Sequence, residues 1–295
     1  MKIIDCTTYY SEDLMLDIRL NILNEYVDKF IIVESKFSHS GEKKSLNFNI
    51  NNFSKFKDKI KYLIIEDEPE GIIENKNNIG SIKRMNSLLR IEQSYNYISN
   101  ALIDVSENDL ICLSDNDEIP NFENINFKNS KHDIFIFKQL FFYYKFNLFY
   151  DLLPWFGSKA CKKKKLISLS WLRNLKNKKY PWWRIDTYFS KIKQRNLKII
   201  NNGGWHFTNV KTAQEIYKKL SNFGHHDEFE SSGLTVKDIQ YCIDSKIVNY
   251  DHFADKSKIN KYNAKYKLQL ADDEILPEYL IKNKDKYKNW FSYSK

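Results

Sequence analysis

Short apolar runs alternate with longer amphipathic stretches through the first part of the chain, and this alternation restricts the fold more than any other feature. The strand-like runs lie at residues 3–9, 30–33, 60–65 and 109–113. Helical periodicity covers residues 12–26, with Ser11 as the expected N-cap, and residues 81–103. Strand–helix–strand order favours parallel strands, because the helix returns the chain to the start of the sheet. The sequence therefore predicts an α/β fold with a mainly parallel central sheet and helices on both faces.

Glycine is scarce, with eight residues in 295, and its positions disfavour several nucleotide-binding loops. No glycines have the spacing of G-x-G-x-x-G or G-x-x-x-x-G-K-[ST], and no G-x-S-x-G elbow occurs. A dinucleotide Rossmann site, a P-loop NTPase and an ordinary α/β-hydrolase are therefore disfavoured. If the chain binds phosphates, it must neutralise them with metal ions and side chains.

The cysteines and the apolar segments indicate the compartment. The four cysteines are far apart, which disfavours a zinc site or a disulfide framework, and Cys6 and Cys112 are expected to be buried thiols. No hydrophobic signal core precedes the first strand, and charged residues interrupt the most apolar stretch, residues 134–156. We therefore expect a soluble, cytoplasmic protein.

The chain is basic, with 47 Lys and Arg against 38 Asp and Glu and a formal net charge of +9. Its densest basic run is residues 162–165, all lysine. The simpler interpretation of this run is a solvated loop, and the alternative is peripheral contact with an anionic membrane or a polyanionic ligand. Nucleic-acid binding would also suit the charge, but the lysines are dispersed and no RNP or OB signature occurs. We therefore expect no nucleic-acid partner.

The second half of the chain is less regular. Strands are expected at three places, residues 134–137, 141–144 and 166–169. Thr212 and Glu215 form a capping box for a helix that Gly224 ends, and Thr235 is expected to cap another helix. The Lys-, Tyr- and Asn-rich residues 249–295 are expected to form a C-terminal extension with one or two short helices.

Four tryptophans of this half are expected to pack in the core, with a carbohydrate-stacking wall as the alternative. They are Trp155, Trp171, Trp182 and Trp183. Sequence position alone does not separate the two interpretations.

Acidic residues follow the fourth strand directly: Asp115, Asp117 and Glu118. In open α/β sheets, ligands bind beyond the carboxyl ends of the strands, so this is the favoured position for a site. Neighbouring carboxylates repel one another unless water or a hard divalent cation compensates them, and their oxygens suit Mg²⁺ or Mn²⁺. The cluster is therefore either a metal site or a solvated acidic turn that Pro120 ends.

Two histidine-containing segments are further candidates. His206 follows two glycines and lies between Trp205 and Phe207, so it is either a packed core histidine or a ligand to the same metal or a phosphate. Asp227 and Glu228 follow two histidines at the end of the capped helix. A histidine beside carboxylates there suits a general base, and the alternative is a solvated helix end.

Motifs spread over residues 1–230 match one known family in the correct order. They are Asp5-Cys6 with Glu12 and Ile18-Arg19-Leu20, the segment VDKFIIVES at 27–35 with Ser38-His39-Ser40-Gly41, Arg90, SDNDEIP at 114–120, GGWHF at 203–207 and LSNFGH at 220–225. As a set they resemble glycosyltransferase family 17, whose animal member adds the bisecting β-1,4-linked N-acetylglucosamine to N-glycans.

The resemblance implies a GT-A fold, a nucleotide-sugar-binding α/β sandwich, over residues 1–248, with residues 249–295 as the extension. It also implies inverting transfer of N-acetylglucosamine or a similar hexose from a UDP-sugar to a glycan hydroxyl. The partners would be the nucleotide sugar and a glycan acceptor that is free, lipid-linked or protein-linked.

The same resemblance implies roles for individual residues. Asp115, Asp117 and His206 would hold Mn²⁺ or Mg²⁺, which stabilises the charge on the departing diphosphate. Asp227 or Glu228, with Glu118 as competitor, would remove the proton of the acceptor hydroxyl. The residues expected to contact the nucleotide sugar are Asp5, Thr7, Glu34, Arg90 and Asp115.

A metal-dependent phosphoryl or nucleotidyl transferase is the alternative function, because it would use the same carboxylates. The products separate the two reactions: intact UDP marks sugar transfer, whereas pyrophosphate or phosphate marks the alternative.

Overall fold

The computed structural model describes residues 1–178, 180–254 and 261–293. The strands are β1 (Ile3–Tyr9), β2 (Lys29–Ser35), β3 (Ile60–Ile65), β4 (Leu110–Ser114), β5 (Glu118–Pro120), β6 (Ile134–Phe137), β7 (Leu140–Tyr143), β8 (Leu148–Phe149), β9 (Lys159–Lys162), β10 (Leu197–Ile200), β11 (Gly204–Thr208), β12 (Ile247–Val248), β13 (Tyr266–Lys267) and β14 (Gln269–Leu270). The α-helices are α1 (Asp13–Leu23), α2 (Gly80–Asn96), α3 (Leu169–Asn174), α4 (Asp186–Phe189), α5 (Ala213–Asn222), α6 (His226–Ser232), α7 (Val236–Asp244) and α8 (Glu278–Lys282). Short 3₁₀ helices occupy Ile50–Lys59, Tyr97–Ala101, Lys163–Lys165, Asp273–Ile275 and Lys288–Trp290.

A seven-stranded sheet with the order β10-β6-β9-β4-β1-β2-β3 forms the centre of the fold. Four of its six strand pairs are parallel, and β9 runs antiparallel to both of its neighbours. The prediction of an α/β fold with a mainly parallel sheet is confirmed. The parallel strands β1, β2 and β4 end at the same edge, so the loops that follow them meet there.

Side chains of the central strands alternate between two apolar clusters, as the period of two along a strand requires. In β2, Phe30 and Ile32 belong to one cluster and Ile31 and Val33 to the other, and all four are buried. The first cluster packs against α1 and α8, and the second against α2 and α3. Burial on both faces explains why these strands are continuous apolar runs, and the helices lie on both faces as predicted.

A second sheet, with the order β14-β8-β7-β11-β5, packs on the first cluster. Its pairs are antiparallel except for β7 and β11. Its other face forms a third cluster with α5, α6 and α7, in which Phe141 and Ile216 are almost fully buried. Leu280 and Phe291, near the C-terminus, complete the first cluster. None of the helices in the described ranges is both long and apolar enough to cross a membrane.

The capping predictions had mixed outcomes. Both threonine caps are confirmed: Thr212 and Thr235 form capping boxes at the starts of α5 and α7. The Ser11 cap is wrong, because α1 starts at Asp13 and the Ser11 amide instead donates to Glu12 Oε2 at 2.9 Å. The second long helix also ends earlier than predicted, and residues 97–101 tighten into a 3₁₀ turn.

The predicted strand at 166–169 is wrong. Ser168 accepts a hydrogen bond from the amide of Trp171 at 3.0 Å and starts α3, while the strand of this region lies earlier, at β9. A short apolar run does not distinguish a strand from a buried helical turn, and here the serine cap decides for the helix. Core packing is also wrong for two tryptophans, because Trp182 and Trp183 are 77% and 63% exposed.

A buried ion pair joins the two sheets. Arg19 of α1 is 1% exposed, and its Nε and Nη2 donate to the two carboxylate oxygens of Asp5 at 2.7 and 2.5 Å. Its Nη1 donates to the carbonyl oxygen of Glu118 in β5. One guanidinium therefore connects the first strand of the large sheet, helix α1 and the edge of the second sheet.

Asp5→Ala should lower the free energy of unfolding by about 3–5 kcal/mol, because it leaves the Arg19 charge buried without its partner. Urea denaturation followed by circular dichroism measures the change. The control is Glu278→Ala, which removes an exposed partner of Lys282 and should change the same quantity by less than about 1 kcal/mol. Equal, small losses in the two variants would contradict the prediction.

Candidate active site

A cavity of about 590 Å³ opens at the edge where β1, β2 and β4 end. Its lining includes Tyr10 after β1, His39 after β2 and Asp115 after β4. Side chains of β7 and β11 and of helices α2 and α5 form the other walls. The volume is in the range of pockets that enclose a drug-sized ligand, and the position is where open α/β sheets bind ligands.

Asp115 faces this cavity but is held by its neighbours. Arg173 of α3 binds it through two hydrogen bonds, from Nε at 2.9 Å and from Nη2 at 2.6 Å, and the Tyr95 hydroxyl donates to the same carboxylate. Burial favours the neutral acid, but the Arg173 charge outweighs it and holds the pKa of Asp115 below its ordinary value. The carboxylate is therefore ionised and compensated.

Asp117 has a separate cationic partner. Lys219 of α5 donates to its Oδ2 at 3.0 Å, and Nε2 of His206 lies 3.3 Å from its Oδ1. Burial alone would raise the pKa of Asp117, but the Lys219 charge and the histidine bring it far below the ordinary value. The two aspartates of the D-x-D sequence therefore form two distinct charge pairs at the cavity wall.

His206 lies in β11, at the cavity wall between two aromatic rings. Its ring stacks on Phe141 with centroids 4.6 Å apart and on Trp155 with centroids 4.4 Å apart. Its Nδ1 is buried without a hydrogen-bond partner among the described residues. His206 is therefore packed as a core residue with one nitrogen near Asp117, and its role as a ligand to a metal or a phosphate stays a prediction.

Steric contacts require a glycine at the first residue of β11, Gly204. Gly204 has φ of +116°, in the region that favours glycine, and a Cβ there would lie 2.1 Å from the carbonyl oxygen of Ile119. Any other residue would push β11 away from β5. Gly204 therefore lets the two strands approach and fixes the position of His206.

Glu118 lies in β5, next to His206 across the strand pair, and does not line the cavity. Its Oε1 accepts from the indole nitrogen of Trp155 at 2.7 Å, and its Oε2 from the amide of Asp115 at 3.1 Å. Burial and then the Asp115 charge raise the pKa of Glu118. The carboxylate therefore braces the turn that holds the two aspartates.

Asp227 and Glu228 lie at the start of α6, and neither is among the residues that line the cavity. Glu228 Oε1 accepts from Lys261 at 2.8 Å and lies 3.2 Å from Nδ1 of His225, and both partners line the cavity. Burial opposes ionisation, but the hydrogen bond from Lys261 and the His225 charge lower the pKa of Glu228. Asp227 Oδ1 and Glu228 Oε2 are buried with no hydrogen-bond partner among the described residues.

The four other predicted nucleotide contacts lie behind the cavity wall. Asp5 binds Arg19 in the core, and the Thr7 side chain donates to the carbonyl of Thr8 at 3.3 Å. Glu34 is completely buried, where it accepts from two backbone amides and from the Tyr62 hydroxyl. None of these three is among the residues that line the cavity.

Contacts with Arg90 determine the path of the Ser38-His39-Ser40-Gly41 segment. Its guanidinium binds Glu68 at 2.7 and 2.8 Å and donates to the carbonyl of His39 at 3.2 Å. A Cβ at Gly41 would lie 2.5 Å from Arg90 Nη2. The loop after β2 therefore folds around this arginine, which shapes the cavity wall without lining it.

Sequence reasoning missed the cationic side chains of the cavity, which are Lys44, Arg84, Arg173, Lys219 and Lys261. They come from five separate parts of the chain, and no motif marks them. Of these five, only Lys219 could have been placed from the sequence, because it lies on the helix that the capping box predicts.

Asp115, Asp117 and His206, the three predicted metal ligands, all line the cavity. Within the described ranges, no group of three or more His, Cys, Asp or Glu has the geometry to hold a metal ion. Divalent-cation binding therefore stays a prediction.

Comparison with known proteins identifies the class to which this fold and site belong. The family model of glycosyltransferase family 17 matches residues 1–292. The chain therefore belongs to glycosyltransferase family 17 and is a glycosyltransferase, which confirms the resemblance of the motifs.

Other comparisons give weaker similarity. No curated protein sequence matches. The crystal structure of HddC from Yersinia pseudotuberculosis is 13% identical with a TM-score of 0.33, over 68% of this chain and 90% of that one. A Bacillus anthracis structure in complex with sucrose, described as a glucose-1-phosphate thymidylyltransferase, is 12% identical with a TM-score of 0.33, over 68% and 86%. Similarity at these TM-scores supports no conclusion about this chain.

Two histidines of the cavity should make stability depend on pH. Burial and then the Arg173 charge lower the pKa of His39 to about 4, and burial and then His206 lower that of His252 to about 4. The unfolded chain, with histidine pKa values near 6.5, binds more protons between these values. The free energy of unfolding should therefore fall as the pH drops from about 6.5 towards 4.

Between about pH 7 and about pH 5, the free energy of unfolding should fall less in His252→Gln than in the wild type. The difference between the two falls should be up to about 2 kcal/mol. Urea denaturation at each pH measures the difference. Tyr143→Phe removes the hydroxyl that hydrogen-bonds His252 but keeps the histidine, so it should keep the wild-type pH dependence. A glutamine variant with unchanged pH dependence would contradict the assignment.

Proposed function

We propose that the protein is an inverting GT-A glycosyltransferase that moves N-acetylglucosamine or a similar hexose from a UDP-sugar to a glycan hydroxyl. The supporting observation is the cavity itself. Two aspartates in D-x-D order and five cationic side chains line it, in a chain of glycosyltransferase family 17. Such a lining suits a nucleoside diphosphate, which needs positive charge around its phosphates.

The two charge pairs suggest how the chain's own residues act on the donor. Arg173 and Lys219 are held in place by Asp115 and Asp117, so their charges are positioned before the ligand arrives. A diphosphate that gains negative charge as the sugar leaves would be stabilised by these fixed cations more than the intact donor is. Lys219 and Arg173 would therefore promote departure of the diphosphate.

A divalent cation is the second part of the proposal. Asp115, Asp117 and His206 offer oxygen and nitrogen donors of the kinds that Mn²⁺ accepts, and all three line one cavity, so the donor set fits in kind. When bound, Mn²⁺ or Mg²⁺ would supply further positive charge to the diphosphate. Arg173 and Lys219 compete for the same carboxylates, so metal affinity would depend on both.

We propose Glu228 as the general base, ahead of Asp227 and Glu118. The lowered pKa of Glu228 keeps it deprotonated at neutral pH, and its partners His225 and Lys261 line the cavity. Glu118 accepts hydrogen bonds through both of its oxygens, from Trp155 and from the Asp115 amide. Both of its oxygens are thus occupied in bracing the turn, whereas Glu228 Oε2 accepts no hydrogen bond from the described residues.

The first experiment is a thermal-shift panel of nucleotides and nucleotide sugars, with and without Mn²⁺. A ligand that binds the native state raises the melting temperature by mass action. We expect UDP and a UDP-sugar to stabilise the protein more with Mn²⁺ than with EDTA. Incubation of the stabilising donor with acceptors should release intact UDP, whereas pyrophosphate or phosphate would favour the phosphoryl or nucleotidyl transferase.

Lys219→Met should lower turnover about a hundredfold, because it removes a fixed charge from the departing diphosphate. Lys218→Met is a matched control on the same helix, since Lys218 is exposed, and it should retain wild-type turnover. Coupled detection of released UDP measures both. Equal turnover in the two variants would remove Lys219 from the mechanism.

Asp117→Asn tests the metal separately from turnover. It should fold, by circular dichroism, and lose the extra stabilisation that Mn²⁺ gives to the UDP complex. Glu274→Gln, at a carboxylate outside the cavity, is the control and should keep it. An asparagine variant that responds to Mn²⁺ like the wild type would exclude Asp117 as a ligand.

Glu228→Gln should abolish turnover while leaving the UDP-induced thermal shift unchanged, because the base acts on the acceptor and not on the nucleotide. Asp227→Asn is the neighbouring control and should keep turnover and its pH profile. If instead Asp227→Asn or Glu118→Gln eliminates turnover and Glu228→Gln does not, the base is the residue so identified.

A further inference from the structure

Residues 181–195, here called the aromatic segment, carry an exposed group of large apolar side chains. They lie far along the chain from the D-x-D turn. The aromatic segment connects α3 to β10 and contains the short helix α4. Six of its side chains are 59–84% exposed, namely Trp182, Trp183, Ile185, Tyr188, Phe189 and Ile192. Soluble surfaces rarely keep so many large apolar groups together unless the patch contacts something.

Contacts with buried and polar groups attach the aromatic segment to the rest of the fold. Arg195 lies 4.1 Å over the Tyr188 ring and donates to the Thr187 hydroxyl at 2.6 Å, and Thr187 is buried. The indole nitrogen of Trp171 donates to the carbonyl of Ile192 at 3.0 Å and fastens the segment to α3. Polar groups therefore hold the segment from inside, while the apolar side chains face outwards.

The surroundings of the aromatic segment are strongly basic. Residues 173–198 contain nine Lys and Arg against one acidic residue, Asp186. Asp186 is itself paired with Arg184 and Lys193, at 2.7 Å each. The segment therefore carries an excess of positive charge close to its apolar side chains.

The lysine run at residues 162–165 lies at the same end of the large sheet. Asn196, directly after the aromatic segment, accepts a 2.6 Å hydrogen bond from Nδ1 of His132 through its Oδ1. Asp133, the residue after His132, pairs with Lys162 at 2.8 Å. Contacts of the residues that precede β6 and β10 therefore connect the run to the segment, although Lys162, Lys163 and Lys164 are themselves paired with acidic residues.

We propose that the aromatic segment is a membrane-docking surface that inserts into the interface of an anionic phospholipid bilayer. Tryptophan and tyrosine prefer the level of the lipid headgroups, where the ring is apolar and its polar edge stays hydrated. Phe189, Ile185 and Ile192 enter the acyl boundary, and the surrounding Lys and Arg bind anionic headgroups. Apolar burial and charge attraction together give reversible attachment without a spanning helix.

Charge and side-chain type favour this occupant over two others. A second copy of the chain would bring two strongly positive surfaces together, which repel each other. Single-stranded nucleic acid would stack on the aromatic rings, but it leaves Ile185 and Ile192 without a function. A bilayer uses the aromatic, aliphatic and basic groups together. The proposal does not depend on the reaction that the cavity catalyses.

Co-sedimentation with vesicles tests the proposal, using phosphatidylcholine alone and phosphatidylcholine mixed with phosphatidylglycerol. The wild type should pellet with the mixed vesicles and not with the neutral ones, and added salt should release it because salt screens the attraction. Tryptophan emission should shift to shorter wavelength as Trp182 and Trp183 leave water. No pelleting with mixed vesicles at low salt would overturn the proposal.

Phe189→Ser should weaken partitioning to the mixed vesicles by about tenfold or more, because a large apolar side chain no longer enters the lipid. Tyr241→Ser is the control: Tyr241 is 65% exposed on α7, outside the segment, and its loss should leave binding unchanged. Unchanged melting temperatures would establish that both variants fold. Equal binding of wild type and Phe189→Ser would overturn the proposal.

Two further measurements identify the rival occupants. Sedimentation velocity across a range of concentrations should find the same species for wild type and Phe189→Ser, and a dimer present only in the wild type would assign the segment to self-association. An oligothymidylate should not displace the protein from mixed vesicles. If the oligonucleotide displaces the wild type from the vesicles and has no such effect on Phe189→Ser, the segment is assigned to nucleic acid.

Discussion

The contact between Arg19 and Asp5 is the constraint on which the rest of the structure depends. A charge this deeply buried is tolerated only with a complete set of partners, and Arg19 finds them in β1 and in the backbone of β5. Because the D-x-D turn runs between β4 and β5, the guanidinium fixes one end of that turn. A side chain near the N-terminus therefore positions the acidic residues about a hundred positions later.

Charges are compensated in the same way at the cavity, but there a ligand can reach the paired groups. Asp115 and Asp117 are each neutralised by a cation from a different helix, Arg173 on α3 and Lys219 on α5. These pairs lie at the cavity wall and not in the core, so a polyanion or a cation that enters can exchange with one of the partners. We regard this exchange as the physical basis of the proposed sugar transfer, since the cations already lie where the departing diphosphate would gain negative charge.

Much of the fold was predictable because it depends on local pattern. Burial on both faces makes strands such as β2 continuous apolar runs, and threonine caps such as Thr212 are readable from four residues. The failures have equally local causes: residues 166–169 are too few for their apolar pattern to show a period, and Ser168 determined the outcome as a cap. Trp182 was assigned to the core on residue type alone, although type does not decide on which side of a loop a ring lies.

By itself the sequence determined the order of the strands and helices from β1 to β4, the parallel sheet and the acidic turn after β4, because each follows from neighbouring residues and their period. Only the tertiary structure decided which groups face that turn. Arg173, Lys219 and His206 are 58, 102 and 89 positions from their aspartate partners, and no spacing rule connects them. Such contacts arise when separate elements pack on one core, so their geometry exists only in the folded chain.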